Sequence, residues 1–208
     1  MFDDSVRDQL RALGTSTLHE AQGRTGALPS TIRPVWKGAF LAGPALTVKV
    51  KPGDNLAIHH AVAIAAPGDI LLVESGGYPD SGVWGEVLTI AARHKGIQGL
   101  VVNGSVRDVD RLEALSFPVF SRGISMGGTT KDDPGILGGA IHFGETEINQ
   151  GDILVADTDG VLVIKAAELE TVLLAAKDRE EKEKEMMKSL TAGKLTLELL
   201  GLKQASTG

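Results

Sequence analysis

The stretch GLVVNGSVRDVDRL, residues 99–112, runs from an unbroken apolar string straight into an arginine beside an aspartate. Residues 97–103, IQGLVVN, carry no alternation, which is the pattern of a strand buried on both faces, as in a parallel sheet. Upstream, a helix opening near Gly82 to Gly85 runs through EVLTIAARHK and stops at Gly96, and before it DILLVES reads as another buried strand. These pieces compose a βαβ unit. A short helix from about Ser105 to Leu115 then leads to the strand PVFSRG.

Outward from that unit the chain keeps the same rhythm for some distance. Asp54 or Asn55 caps a helix that Pro67-Gly68 ends, and AFLAGPALTVKV, residues 39–50, reads as a strand with Gly43-Pro44 marking a bulge or an edge. Val6, Leu10 and Leu13 recur at helical spacing until Gly14 stops the segment; Thr17 and Glu20 have capping-box spacing for a second short helix ending at Gly23. Downstream of the Gly-rich loop at 123–139, the short strings AIHFGETEI, GDILVADTDG and VLVIKA read as antiparallel strands, with DTDG as a turn. The strings PGDILLVESGG and QGDILVADTDG resemble each other, and both suit a reverse turn launching a core strand. From about Ala166 a helical extension shows one apolar stripe, turns polar in KDREEKEKEMMK, and becomes apolar again in SLTAGKLTLELLGL, as a segment packing on a neighbouring subunit does.

The totals fit one α/β domain spanning 1–208. At 208 residues with 42% hydrophobic and 23% charged residues, the chain buries a core without staples, and it has no cysteine for a disulfide, a thiolate metal site or a thiol nucleophile. A net charge of -6 and only 4% aromatic residues supply neither a basic field nor stacking platforms for nucleic acid. No apolar run approaches a bilayer-spanning length, and the acidic, amphipathic start MFDDSVRDQLRALG lacks the parts of a secretion signal, so the expectation is a cytoplasmic protein with no membrane partner.

Arg107 and Asp108 fall where a βα loop leaves the strand end, the place from which side chains reach a ligand. A plainer role exists, because Ser105 and Asp108 also have capping-box spacing. Glu86 stands equivalently at the start of the preceding helix, where an acid favours the helix dipole. If the two elements lie side by side, Glu86 and Asp108 face each other across a crevice with Arg107 between. Two carboxylates with water suit a hard cation such as Mg2+ or Mn2+. The amides of Val87 and Leu88, unpaired at a helix start, suit a substrate carboxylate.

With WGEVL at 84–88 and NGSVRDVDRL at 103–112 as its sharpest parts, the sequence resembles the class II pyruvate aldolases acting on 4-hydroxy-4-methyl-2-oxoglutarate and 4-carboxy-4-hydroxy-2-oxoadipate, together with the related regulator of ribonuclease activity A-like proteins. The likeness extends from DNLAIHHAVAIAAPGDILLVE to GDILVADTDGVLVI. Aldolases of this family carry an acid, twenty positions, then Arg-Asp, as Glu86, Arg107 and Asp108 do; the regulator-like relatives have glycine at the acidic position and an acid where this chain has Arg111. The resemblance implies an α-β-β-α sandwich around a central β-barrel, similar to the swivelling phosphohistidine domain, assembled as a homotrimer or homohexamer. It implies that Glu86 and Asp108 hold Mg2+ or Mn2+ largely through water, that Arg107 binds pyruvate's oxygens, and that Val87 and Leu88 present their amides to its carboxylate. Glu198 is the candidate acid from a neighbouring subunit.

The expected reaction is retro-aldol cleavage of a small 2-oxo acid to release pyruvate, in microbial breakdown of aromatic acids, with oxaloacetate decarboxylation as a companion through the same enolate. The alternatives are a non-catalytic regulator that binds a ribonuclease, and a decarboxylase or aldolase for another 2-oxo acid. A lysine Schiff base is a further route, but no pattern selects among Lys49, Lys51, Lys131 and Lys165. His59 and His60 are adjacent on a helix, face different ways, and read as packing or capping residues. MGGTTKDDPG reads as a connecting loop or a flexible lid with Lys131 supplying charge. The glycines of SGGYPDSGVWGE lack dinucleotide-binding spacing, so no nucleotide or methyl-donor cofactor is expected.

Overall fold

Apolar residues that alternate inward and outward along buried strands need cover on both faces, and the computed structural model, which describes residues 2–203, supplies it with two helical layers. The first helix, Asp4–Ala21 (α1), is interrupted at Gly14, whose φ of 74° and ψ of 159° break the turn without ending the element. The expected second start capped by Thr17 does not form. Instead the helix resumes at Thr15, because Asp157 caps it from across the fold: Oδ2 accepts the Thr15 amide at 2.8 Å and Oδ1 accepts the Thr15 hydroxyl at 2.7 Å. A cap is worth about 1–2 kcal/mol, so Asp157→Ala is expected to lower the thermal midpoint in a calorimetric scan; an unchanged midpoint would show that the cap is dispensable.

Next come Arg33–Pro34 (β1), Leu41–Lys49 (β2), Leu56–Ile64 (α2), Ile70–Glu74 (β3), Glu86–His94 (α3), Gly99–Val106 (β4), Val109–Ala114 (α4) and Val119–Ile124 (β5). Strands β2 to β5 are successive parallel neighbours joined by α2, α3 and α4. The chain continues through Ile136–Leu137 (β6), Ile141–Phe143 (β7), Thr146–Ile148 (β8), Ile153–Asp157 (β9) and Gly160–Ile164 (β10), then a 3-10 turn at Ala166–Glu168 and the helices Leu169–Thr191 (α5) and Thr196–Leu199 (α6). The pairs β7–β8 and β9–β10 are antiparallel, as the turn spacing predicts. The Gly-rich loop is less irregular than its composition suggests, since β6 pairs with Val48 and Lys49 of β2.

The main sheet runs β1-β5-β4-β3-β2-β9-β10 and curls into a nearly closed barrel. Its edges approach where Ala27 bridges Leu162 and Arg33 Nη1 donates to the Asp159 carbonyl at 2.8 Å. Gly43-Pro44 marks neither an edge nor a bulge. Residues 41–44 pair with β9 and residues 45–49 with β3, so the proline, which has no N–H to offer, sits where β2 changes partners. Gly43 is required there, as a Cβ would lie 2.8 Å from the Gly68 carbonyl oxygen.

Three apolar clusters give the layer order. Ile70 and Leu72 point into the barrel with Leu41, Val101, Phe120, Leu154, Val161 and Val163. Their neighbours Leu71 and Val73 point outward, beneath Ile58, Val62, Leu88 and Leu112 of the three crossover helices. On the far wall Ile153, Val155 and Leu162 face Leu10, Leu18, Val172 and Leu173 of α1 and α5. Period-two alternation in the strands thus yields an α-β-β-α sandwich. The two similar strings flank β2 on either side, and each begins as expected: Asp69 Oδ2 accepts the Ala66 amide and Asp152 Oδ2 accepts the Asn149 amide, closing the turn that launches the strand. No helix among the described residues is long and apolar enough to cross a membrane.

Candidate active site

Strand β4 runs to Val106, three residues beyond the sequence expectation, because Ser105 and Val106 pair with Gly123 and Ile124 of β5 and a second segment lies along the other edge. Val83 N–H donates to the Ser105 carbonyl at 3.0 Å and Arg107 N–H to the Trp84 carbonyl at 2.8 Å, so residues 82–84 lie along the end of β4. Trp84 fixes this segment. Its ring is buried and stacked on Phe117 with centroids 5.8 Å apart, while Nε1 donates to Thr89 Oγ1, which in turn donates to the Gly85 carbonyl. The start of α3 and the end of β4 are thereby held side by side, which is the condition for Glu86 and Asp108 to share a crevice.

Asp108 does not cap its own helix. It occupies the left-handed region at φ 58° and ψ 36°, its side chain bonds to no amide of α4, and Ser105 is buried within the strand, so the predicted capping box and the helix start at Ser105 are both absent. The carboxylate turns to the other element, where Oδ2 accepts the Glu86 amide at 3.0 Å and lies 3.7 Å from Arg107 Nε. A non-glycine residue at positive φ is a strained choice that an active site can use. Gly85 makes room for it, since a Cβ there would sit 2.4 Å from Asp108 Oδ2 and 3.0 Å from Arg107 Cγ.

With Asp108 taking the Glu86 amide, the next two amides of α3, those of Val87 and Leu88, make no hydrogen bond among the described residues. They open, with Arg107, on a cleft of about 160 Å³ whose other side is formed by Asn55, His59 and Lys131. His59, expected from the sequence to pack or cap, lines the cleft instead, while His60 is exposed. Burial, then the positive charge of Lys131 and the neighbouring His60, hold His59 below its ordinary value of 6.5, which favours the neutral ring. Asn55 is buried, donates through Nδ2 to the Val83 carbonyl at 3.1 Å, and keeps Oδ1 without a partner. No motif announces Asn55, whose role arises from the folding of two distant loops against each other.

Lys131 reaches the cleft because Asp54 anchors its loop. The buried Asp54 carboxylate accepts the Thr130 hydroxyl and the Asp132 amide through Oδ2 at 2.7 Å each, with the Asp133 amide at 3.3 Å, while Oδ1 accepts the Leu56 amide. Burial alone would raise its pKa, but these hydrogen bonds prevail and hold it at about 2 against an ordinary 3.8. A depressed folded value means that the anchor is at full strength above about pH 4 and fades as pH falls toward 2. Protection of the Asp132 and Asp133 amides from hydrogen exchange is expected to weaken through that window and to be lost at neutral pH in Asp54→Ala. Equal protection in the variant would show that the loop holds without the anchor.

Of the other predicted residues, Lys165 is committed to Asp152 at 2.8 Å and to the Glu147 carbonyl, and Lys49 and Lys51 do not line the cleft. Glu198 lies on α6, outside the cleft of its own chain, with Oε2 3.5 Å from the Leu195 amide. Among the described residues no three His, Asp or Glu side chains converge as a ready metal cage. The lip nonetheless suits a hydrated hard cation: among the described residues Asp108 Oδ1 and the Glu86 carboxylate carry no hydrogen bond or ion pair, and both are oxygen donors.

The sequence pattern described as "RraA-like: Aldolase/RraA" matches residues 5–163. A protein of Halalkalibacterium halodurans named "Putative 4-hydroxy-4-methyl-2-oxoglutarate aldolase" is 36% identical over 172 residues, spanning 83% of this chain and 82% of the relative. A solved protein from Pseudomonas syringae pv. tomato superposes with a TM-score of 0.84 at 28% identity over 93% of this chain and 92% of its own. Streptomyces coelicolor RraAS2, described as "an unusual member of the RNase ES inhibitor RraA protein family", superposes with a TM-score of 0.79 at 25% identity over 91% of this chain and 100% of its own.

Proposed function

Because the chain belongs to the Aldolase/RraA family, we propose that it is a divalent-metal-dependent pyruvate aldolase that cleaves 4-carboxy-4-hydroxy-2-oxoadipate or 4-hydroxy-4-methyl-2-oxoglutarate. One observation carries this reading: a guanidinium, a carboxylate oxygen and two helix-start amides, the last three without hydrogen-bond partners among the described residues, meet at the lip of one cleft.

Retro-aldol cleavage passes the proton of the C4 hydroxyl to a water molecule in the cleft as the C4 carbonyl forms, breaks the C3–C4 bond, and leaves its electron pair on the pyruvate fragment as an enolate, which takes up a proton at C3 to give pyruvate. The amides of Val87 and Leu88 receive the substrate's C1 carboxylate at the positive end of α3. Arg107 donates to the C2 oxygen, on which the enolate charge grows, and is held toward it by Asp108. Lys131, across the cleft, answers the second carboxylate that both substrates carry, and Asn55 Oδ1 accepts a hydrogen bond from a substrate hydroxyl. Asp108 and Glu86 would hold Mg2+ or Mn2+, which would supply Lewis-acid stabilisation of the enolate and lower the pKa of nearby water. Oxaloacetate decarboxylation belongs to the same proposal, since it forms the same enolate.

Assembly as a homotrimer or homohexamer, with Glu198 of a partner subunit completing the site, is part of this reading. Leu195, Leu197, Leu200 and Leu202 are exposed and give the C-terminal segment an apolar face to lay on another copy. The likeness to RraAS2 supports a second reading, a regulator that binds a ribonuclease, in which Glu86 has no metal to hold.

The experiment is pyruvate release from 4-carboxy-4-hydroxy-2-oxoadipate. Release is expected with magnesium, absent with chelator, and reduced about 10-fold or more in Glu86→Ala. Release that ignores both chelator and substitution would remove the metal from the proposal; no release from either substrate by the folded protein would favour the regulator.

A further inference from the structure

At the opposite end of the parallel strands from Arg107, a cavity of about 310 Å³ lies between the two helical layers. Arg7 and Arg11 of α1 form one side. Arg93, in the last turn of α3, forms the other, with Phe40, Gln98 and Ser116 between them. Among the described residues, three guanidinium groups thus line one concavity and no carboxylate lines it.

A generally basic surface does not explain this, because the chain carries 27 acidic against 21 basic residues. Arg7 and Arg11 are each oriented by something other than a carboxylate within the cavity. Arg7 donates from Nε to the Ala42 carbonyl at 3.2 Å and pairs with Asp4, which lies outside the lining. Arg11 Cζ lies over the Phe40 ring at 4.3 Å from its centroid, a cation–π contact, and its guanidinium makes no hydrogen bond among the described residues. Neither Arg11 nor Arg93 makes an ion pair among the described residues. Arg93 also answers the dipole at the end of α3, but that role does not bring two arginines of another layer to meet it.

Like charges gathered round a concave surface repel one another until an anion enters. Planar guanidinium forks match oxyanions, to which they donate in pairs. We propose that this cavity is a binding site for a small multivalent oxyanion, a phosphoryl compound or a polycarboxylate, separate from the substrate cleft. An anion bridging Arg11 and Arg93 ties α1 to the C-terminal end of α3, the helix whose first residue is Glu86. The site therefore offers a way for a metabolite to stiffen the element that carries the catalytic lip.

Isothermal titration of the full-length protein with pyrophosphate and, separately, with citrate at constant ionic strength tests this. Saturable binding of at least one is expected, and which one binds more tightly identifies the phosphoryl or polycarboxylate source. Affinity is expected to fall about tenfold or more in the double variant Arg11→Met, Arg93→Met, to fall partially in Arg93→Gln, and to be unchanged in Lys131→Met, where the altered residue lies in the substrate cleft. Thermal unfolding of each variant checks that it is folded. Absence of saturable binding, equal affinity in the double variant, or loss of binding in Lys131→Met would overturn the proposal. So would a smaller sedimenting species for the double variant, which would show that the arginines face a second copy of the chain.

Discussion

Arg107→Lys is expected to lower pyruvate-forming turnover about 100-fold while leaving the protein folded. Arginine is held with its Nε 3.7 Å from Asp108 Oδ2, and its Cβ and Cγ run so close to Gly82 and Gly85 that a Cβ at either glycine would approach within 3.0 Å. A planar fork on a stem fixed in this way presents two donors in one orientation. Lysine carries the same charge as a compact point at the end of a mobile stem, so it retains electrostatic attraction for the substrate but loses the aligned donors. The loss should therefore appear in kcat more than in KM, because the oxygen that Arg107 faces gains charge only as the C3–C4 bond breaks. Steady-state kinetics of the variant read this directly; a kcat near the native value would remove Arg107 from the enolate.

Asp108 presents two roles, and two substitutions separate them. Asp108→Ala removes both the acceptor for the Glu86 amide and the free oxygen, so turnover is expected to fall about 1000-fold and stability by about 1 kcal/mol as α3 loses a cap. Asp108→Asn keeps an acceptor oxygen for the amide and tolerates the left-handed backbone. It is expected to restore most of the lost stability but little of the turnover, since a neutral amide is a poor substitute for a carboxylate toward a hard cation. Recovery of both together would mean that Asp108 acts by holding α3 in place and nothing more.

Strand and helix order was legible from residues 54–124 because both signals there are strong: unbroken apolar strings for strands buried on two faces, and glycine or proline at nearly every helix end. What sequence did not disclose came from partners far along the chain. Thr15 is capped by Asp157, and a local rule looking three residues ahead found Thr17 instead. Ser105 and Asp108 have capping-box spacing, yet β5 and the segment 82–84 extend β4 through Ser105 and draw Asp108 toward α3. Gly43-Pro44 looked like a defect in a strand and marks its change of partners.

The site divides in the same way. Glu86, Arg107 and Asp108 stand out because charge at the end of an apolar strand is conspicuous in one dimension. Asn55 and His59 do not, because an amide and a helical histidine are unremarkable, and Lys131 reads only as a charge on a connecting loop or lid until Asp54 ties that loop to the start of α2. The clue available in the sequence was the pairing of DN at a helix start with an acidic, Gly-rich loop in need of an anchor.

The most direct test is exchange of the methyl protons of pyruvate with deuterated solvent, followed by NMR, since it needs enolate formation and no particular aldol substrate. The native protein with magnesium is expected to catalyse the exchange, and Asp108→Asn and Arg107→Lys each to slow it about 100-fold or more. Exchange that proceeds equally well in both variants, or none from the native protein with magnesium present, would contradict an enolate-stabilising site between α3 and α4.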